Sequence, residues 1–276
     1  MGFYFVNSQL KQADTVILGI PYDRSSSYVP GSRFAPQFMR IGVDNIETYS
    51  PYFNKQITDI KIYDAGDIVL TYPSIRETFQ QIQKEVSKYL KDKKKLLSLG
   101  GEHTITIPII MEVSKFYPDL YLIQFDAHTD TRDAYLEEKY CHATVIKRIS
   151  EIIPANHIFQ LGLRSLTGPA QKNQYLFSVL KYLSRIKQQI GKKPCYLTLD
   201  VDVLDSGIMP AVQTAVPGGI SYQELLQSIV KLSDLNIVAC DLVEYNPLAS
   251  PNLGYASVMA EIMRELIIMM NINKFK

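Results

Sequence analysis

The chain of 276 residues is 46% hydrophobic and 21% charged, which excludes a disordered or collagen-like polymer and leaves length enough for a large buried core. Its 29 basic and 28 acidic residues give a net charge of +1, so bulk attraction to nucleic acid or an anionic membrane is excluded too. Function must come from a local site, and neither nucleic acid nor membrane is expected as a partner.

The start, MGFYFVNSQLKQAD, has no basic n-region or long apolar stretch, and Val6 stands where a myristoylation signal wants Ser or Thr. No export or anchoring is expected. Buried strands are then predicted, in chain order, at Thr15 to Ile20, Ile60 to Tyr63, Leu96 to Leu99, Leu120 to Phe125, Ile158 to Leu161, Tyr196 to Leu199 and Ile237 to Val243. Ser74 and Glu77 form a capping-box pair ahead of Phe79, Ile82, Val86 and Leu90, which share one helical face; Ser221 and Glu224 open a second helix through Leu225, Leu226 and Val230. KDKKK, Lys91 to Lys95, reads as a solvated turn. Strands alternating with helices predict an α/β fold, a three-layer α/β/α arrangement on a mostly parallel sheet, with ligands outside the carboxyl ends of the strands. No repeat or long linker divides the chain, so residues 1–276 are expected to form a single domain. Cys141, Cys195 and Cys240 are odd in number, widely spaced and form no C-x-x-C, which favours a reducing cytoplasm over a disulfide framework or thiolate zinc site.

Three segments place histidines and carboxylates directly after apolar runs: LLSLGGEHTIT with Glu102 and His103, YLIQFDAHTD with Asp126, His128 and Asp130, and YLTLDVDVLD with Asp200, Asp202 and Asp205. In an extended segment alternate side chains point the same way, so Asp126, His128 and Asp130 converge, as do Asp200 and Asp202. Carboxylates so crowded at a buried strand end need cations. Four carboxylates and two imidazoles with no thiolate favour a hard ion, manganese first, and six side chains suit two ions per chain better than one. Glu244 ends the apolar run IVACDLVE, where a guanidinium would match its carboxylate through a bidentate pair. His157 has no acidic neighbours and reads as structural, and Asp205 reads as bracing the following turn. Gly100 and Gly101 lack the spacing of a phosphate cradle and read as a sharp turn that lets His103 reach the cluster.

GGEHT, DAHTD and DVDVLD resemble the three metal motifs of the ureohydrolase family, which contains arginases and agmatinases. GIPYDRSSSYVPGSRFAPQFMR, YDAGDI, KYCHATVIKRI and DLVEYNP extend the likeness in the same order over roughly residues 16 to 262, most closely to bacterial and archaeal agmatinases. The resemblance implies an arginase-like fold and one manganese held by His103, Asp126, Asp130 and Asp200, with a second held by Asp126, His128, Asp200 and Asp202. It further implies hydroxide between the ions as nucleophile, His142 as proton shuttle, and a catalytic set of His142, Glu244 and Asp130. A homo-oligomer, trimer or hexamer, is implied as well. The expected reaction cleaves a small-molecule guanidine, agmatine first, to urea and an amine. Alternatives are another linear guanidine such as guanidinobutyrate, or a metal-binding scaffold with little turnover.

Two features bear on substrate. Agmatinases usually carry a stretch resembling GTGTPEPGG where this chain reads AVQTAVPGG, Ala211 to Gly219. The position where arginases place an asparagine after DAHTD is Arg132, and the nearby Asp133, Glu137 and Glu138 are expected to repel a carboxylate tail and attract an amine.

Overall fold

The computed structural model describes residues 5–71 and 74–272; the Met1–Gly2 start lies outside them. Eight strands form one sheet: β1 (Thr15–Ile20), β4 (Ile62–Asp67), β5 (Lys95–Gly100), β6 (Tyr121–Phe125), β7 (Ile158–Leu163), β8 (Gln174–Leu176), β9 (Pro194–Asp200) and β10 (Asn236–Val243). The two remaining strands, β2 (Tyr49–Ser50) and β3 (Lys55–Gln56), pair only with each other. The order across the large sheet is β4-β1-β5-β10-β9-β6-β7-β8, and every neighbouring pair is parallel.

Helices cover both faces, as apolar strands without a polar side require. Helices α1 (Ala35–Gly42), α5 (Leu180–Ile190), α6 (Tyr222–Leu232) and α7 (Gly254–Asn271) share one core with Ile17, Leu97, Ile123 and Leu197. Helices α2 (Ile75–Lys91), α3 (Thr106–Phe116) and α4 (Val145–Ile149) share the other with Val16, Leu96, Leu122 and Tyr196. Adjacent strand residues thus feed opposite cores, the pleat working on both faces at once. The three-layer expectation holds. No helix among the described residues is long and apolar enough to cross a membrane.

Local signals held with changes of detail. Ser74 caps α2 by accepting from the Glu77 amide at 3.2 Å, while Glu77 takes the Ser74 hydroxyl at 2.7 Å. Ser221 accepts from the Glu224 amide at 3.1 Å, but the Glu224 carboxylate reaches across to Ser178 Oγ at 2.7 Å and the Val179 amide at 3.0 Å, joining α6 to the start of α5. The KDKKK turn is less solvated than expected. Lys94 Nζ donates to the Ala13 carbonyl at 2.6 Å, and Lys95 Nζ to that of Met270. The strand predicted at Ile60 begins at Ile62, because 57–59 close a 3₁₀ turn first.

Candidate metal centre

Register brings the carboxyl ends of β5, β10, β9 and β6 into one row. Leu242 lies opposite Leu99, Val243 opposite Asp200, and Phe125 opposite Leu199, so Asp126, the next residue, comes alongside Asp200. His103 follows β5 in a 3₁₀ turn, and Glu244 follows β10.

His103 decides what the cluster can hold. Its Nε2 lies 2.8 Å from Thr198 Oγ1, and that hydroxyl donates to Asp241 Oδ1 at 2.6 Å. The single Thr198 proton is therefore spent, and Nε2 must carry hydrogen. The opposite nitrogen, Nδ1, is 3.2 Å from Asp126 Oδ2, 3.1 Å from Asp130 Oδ2 and 3.3 Å from Asp200 Oδ2. It is buried and has no hydrogen-bond partner of adequate geometry. A neutral ring would thus turn a bare lone pair towards three carboxylates, an arrangement that only a cation resolves. Against the lowering effect of burial, Asp126, Asp130 and Asp200 hold the imidazole well above its ordinary pKa, the mark of a place that demands positive charge. A buried, oxygen-rich, thiolate-free donor set of this kind fits a hard divalent ion.

A second gathering adjoins the first. His128 Nδ1 lies 2.8 Å from Asp202 Oδ2 and 3.6 Å from Asp126 Oδ1. Burial opposes its charge, yet Asp202 and Asp126 push its pKa up to about 12. Donor atoms of His103, Asp126 and Asp200 lie within 4.8 Å of one another, and those of Asp126, His128 and Asp202 form another such group, with Asp126 common to both. Asp200 Oδ1 accepts the Asp202 amide at 2.9 Å, which fixes the turn between these two acids.

Asp130 reaches the cluster by a different route from the alternation read in the sequence. Strand β6 stops at Phe125, and Asp130 has a left-handed backbone, φ +50°. Its carbonyl receives the Ile146 and Lys147 amides at 3.0 and 3.2 Å, pinning the segment to α4. Burial and the neighbouring Asp126 push its carboxyl up to about 6.

A cavity of about 230 Å³ opens over these groups, with Glu244, His142, Arg132, Tyr135 and Thr214 on its wall. Glu244 is buried, has φ +67°, and accepts the His103 amide through Oε1 at 2.7 Å. Burial and then the Glu102 charge push its pKa up to about 8, so a cationic partner is strongly favoured. His142 opens the 3₁₀ turn before α4, with Cys141 as its N-cap. Burial, followed by the charges of His128 and His103, lowers its pKa to about 4.

The acids expected to attract an amine tail stand elsewhere. Asp133 pairs with the buried Arg148 at 2.7 Å, and Glu138 closes a turn with Tyr135 through paired backbone bonds of 2.9 and 3.0 Å. Neither they nor Glu137 line the cavity, where Arg132 stands 5.3 Å over the Tyr135 ring. Asp205 does brace its turn, accepting the Gly207, Gly218 and Gly219 amides at 2.9, 2.7 and 3.0 Å. His157 stacks on Tyr121 at 3.9 Å and meets the Leu120 carbonyl, a structural role. The chain bends at Gly101 directly after β5, and close approach also requires glycine there: a Cβ would sit 1.9 Å from the Tyr22 carbonyl oxygen.

Sequence reasoning missed the groups that orient the cluster. Asp241 also accepts from Thr106 Oγ1 and Tyr196 OH, each at 2.7 Å, and a carboxylate inside the apolar run IVACDLV was the available signal. Arg164, just past β7, donates to the carbonyls of Asp202 at 2.7 Å, Leu204 at 3.1 Å and Val216 at 2.8 Å, tying the Asp202 turn to the 211–219 loop.

Residues 13–269 match the sequence profile of the Arginase family. An agmatinase of Bacillus cereus is 36% identical over 278 residues, covering 97% of this chain and 96% of its own. A crystal structure from Clostridium difficile matches with a TM-score of 0.91 at 34% identity, covering 97% of this chain and 100% of the other. The proclavaminate amidino hydrolase of Streptomyces clavuligerus matches with a TM-score of 0.89 at 27% identity, covering 98% and 97%.

Proposed function

The chain belongs to the arginase family, and from that premise we propose that it is a ureohydrolase that cleaves agmatine to putrescine and urea at two manganese ions. The observation that carries this reading is the buried His103 nitrogen turned bare towards the carboxylates of Asp126, Asp130 and Asp200. In this reading His103, Asp126, Asp130 and Asp200 hold one ion, and Asp126, His128, Asp200 and Asp202 the other. When bound, such ions supply Lewis acidity and water activated near neutral pH.

The chain's own groups do the rest. One oxygen of Glu244 is held by the His103 amide, which leaves the other to pair with the guanidinium and aim its carbon at the cluster. His142 stands on the cavity wall, where an imidazole can accept a proton and then return it to the departing nitrogen. The active protein is further proposed to be a cytoplasmic homo-oligomer, trimer or hexamer, of single-domain chains; free, buried cysteines support a reducing compartment, and sedimentation reads the state.

Arg132 on the wall favours a second substrate, guanidinobutyrate, whose carboxylate it could meet. Urea release from agmatine, arginine and guanidinobutyrate with manganese supplied tests both readings. The highest kcat/KM is expected for agmatine. A preference for a carboxylate-bearing guanidine would replace the substrate and keep the reaction class, whereas no urea from any guanidine would remove the hydrolase reading.

A further inference from the structure

Ser25, half-buried in the loop after β1, joins two elements that no sequence motif links. Its Oγ donates to Glu102 Oε1 at 2.5 Å, and its amide donates to Glu102 Oε2 at 2.9 Å. From the other side, the His142 amide donates to Ser25 Oγ at 3.0 Å, and His142 Nδ1 lies 3.1 Å from the same oxygen. Thr104 Oγ1, 3.2 Å away, gives its own proton to Glu102 Oε1 at 2.6 Å.

A serine hydroxyl has one proton and two lone pairs. The proton goes to Glu102 over the shortest contact, and one lone pair receives the His142 amide. Only a lone pair remains to face Nδ1, so the ring nitrogen must supply the hydrogen. We propose that Ser25, anchored by Glu102, is a positioning residue that locks neutral His142 as the Nδ1–H tautomer and leaves the Nε2 lone pair for the cavity.

This rests on the reading of His142 as the proton carrier. When water adds to the guanidinium carbon, the O–H proton is taken at Nε2; the Nε2–H bond then breaks as the N–H bond of the leaving amine forms. Nδ1–H donates to Ser25 in both charge states, so the ring never needs to turn during the transfer. With the opposite tautomer, Nε2 would hold a hydrogen already and could accept nothing.

Long-range imidazole ¹H–¹⁵N correlations on the full chain, labelled at histidine and supplied with diamagnetic magnesium above neutral pH, read the tautomer directly. With only four histidines, the His142 signals are those lost in His142→Asn. Wild type and Ser25→Thr should show Nδ1–H at His142, and Ser25→Ala a mixture with Nε2–H. In manganese-loaded enzyme, Ser25→Ala should lower kcat roughly tenfold or more, up to the ~hundredfold that a general acid supplies, with KM within about twofold. Ser25→Thr should restore it. An Nε2–H ring in wild type, an unchanged tautomer in Ser25→Ala, or a rise in KM alone would overturn the proposal. Should Ser25→Ala fail to fold, the wild-type spectrum still decides. Absence of urea release by wild type would instead strike the proposed reaction, and the spectrum would remain a test of Ser25.

Discussion

Asp241, Thr198 and His103 form a line of hydrogen bonds running from the middle of β10 to the cluster, each donor committed to the next acceptor. Thr198→Val should therefore weaken divalent-metal binding by about ten- to a hundredfold, the usual effect of removing the outer partner of a ligating imidazole. Calorimetric titration of metal-free protein checks this, with Thr198→Ser expected to bind like wild type. His142→Ala should leave metal content unchanged and lower kcat by roughly a hundredfold. Glu244→Gln should raise KM and lower kcat together, because an amide cannot match the charge-assisted pair with a guanidinium. The clustered acids and histidines were legible because such crowding at apolar strand ends has a physical cost that only a function explains. Thr198 was not, since a threonine inside a strand looks like ordinary β propensity. Ser25 and Arg164 act through bonds to residues distant in the chain, which no local pattern announces.

At the level of elements, the serine caps were readable but the partners of their glutamates were not. Glu77 stays within its own first turn, while Glu224 serves Ser178 and the Val179 and Leu180 amides at the start of α5, at 2.7, 3.0 and 3.2 Å. Ser221→Ala should cost about 1 kcal/mol, a fall in Tm of roughly 2–4 °C for a chain of this size. Glu224→Ala should lower Tm further than Glu77→Ala, because it strips acceptors from a second helix; equal losses would mean that the cross-link contributes nothing. Central strands were found within a residue or two at each end, since both faces of each are apolar. The edge strand β8 was not, because Gln174, Tyr175 and Leu176 are all only half-buried and leave no hydrophobic run.

Across the molecule, the buried ionisable groups make stability depend on pH in a way that metal should reverse. Glu102 and Glu244 are pushed up to about 7 and about 8, chiefly by burial, while the carboxylates hold His128 up to about 12 against burial. Each of these folded pKa values lies above its unfolded one, so between about pH 6.5 and 8 the native state binds more protons than the unfolded chain. Stability of the metal-free protein should fall as pH rises through that window. The lowered pKa of His142 acts in the opposite sense, but only between about 4 and its ordinary 6.5. On the proposed reading manganese would need the deprotonated ligands, so its stabilisation should grow over the same range in which the metal-free protein weakens. Thermal melts from pH 6.5 to 8 with and without manganese check both slopes, and a metal-free Tm that rises with pH would contradict the charge assignment.

Strands β5 and β6 are consecutive in the large sheet's chain order, yet β10 and β9 lie between them in space. A growing chain that has reached residue 193 can supply His103, Asp126, His128 and Asp130, but the slot between their strands is still vacant. The last strands to be synthesised are the ones that must enter it, bringing Asp200, Asp202 and the carboxylate of Glu244. Until they enter it, the proposed ligand set is incomplete. On the proposed two-ion reading, metal retention reports that the centre of the sheet has assembled, and a nascent chain arrested before β9 should fail to retain manganese.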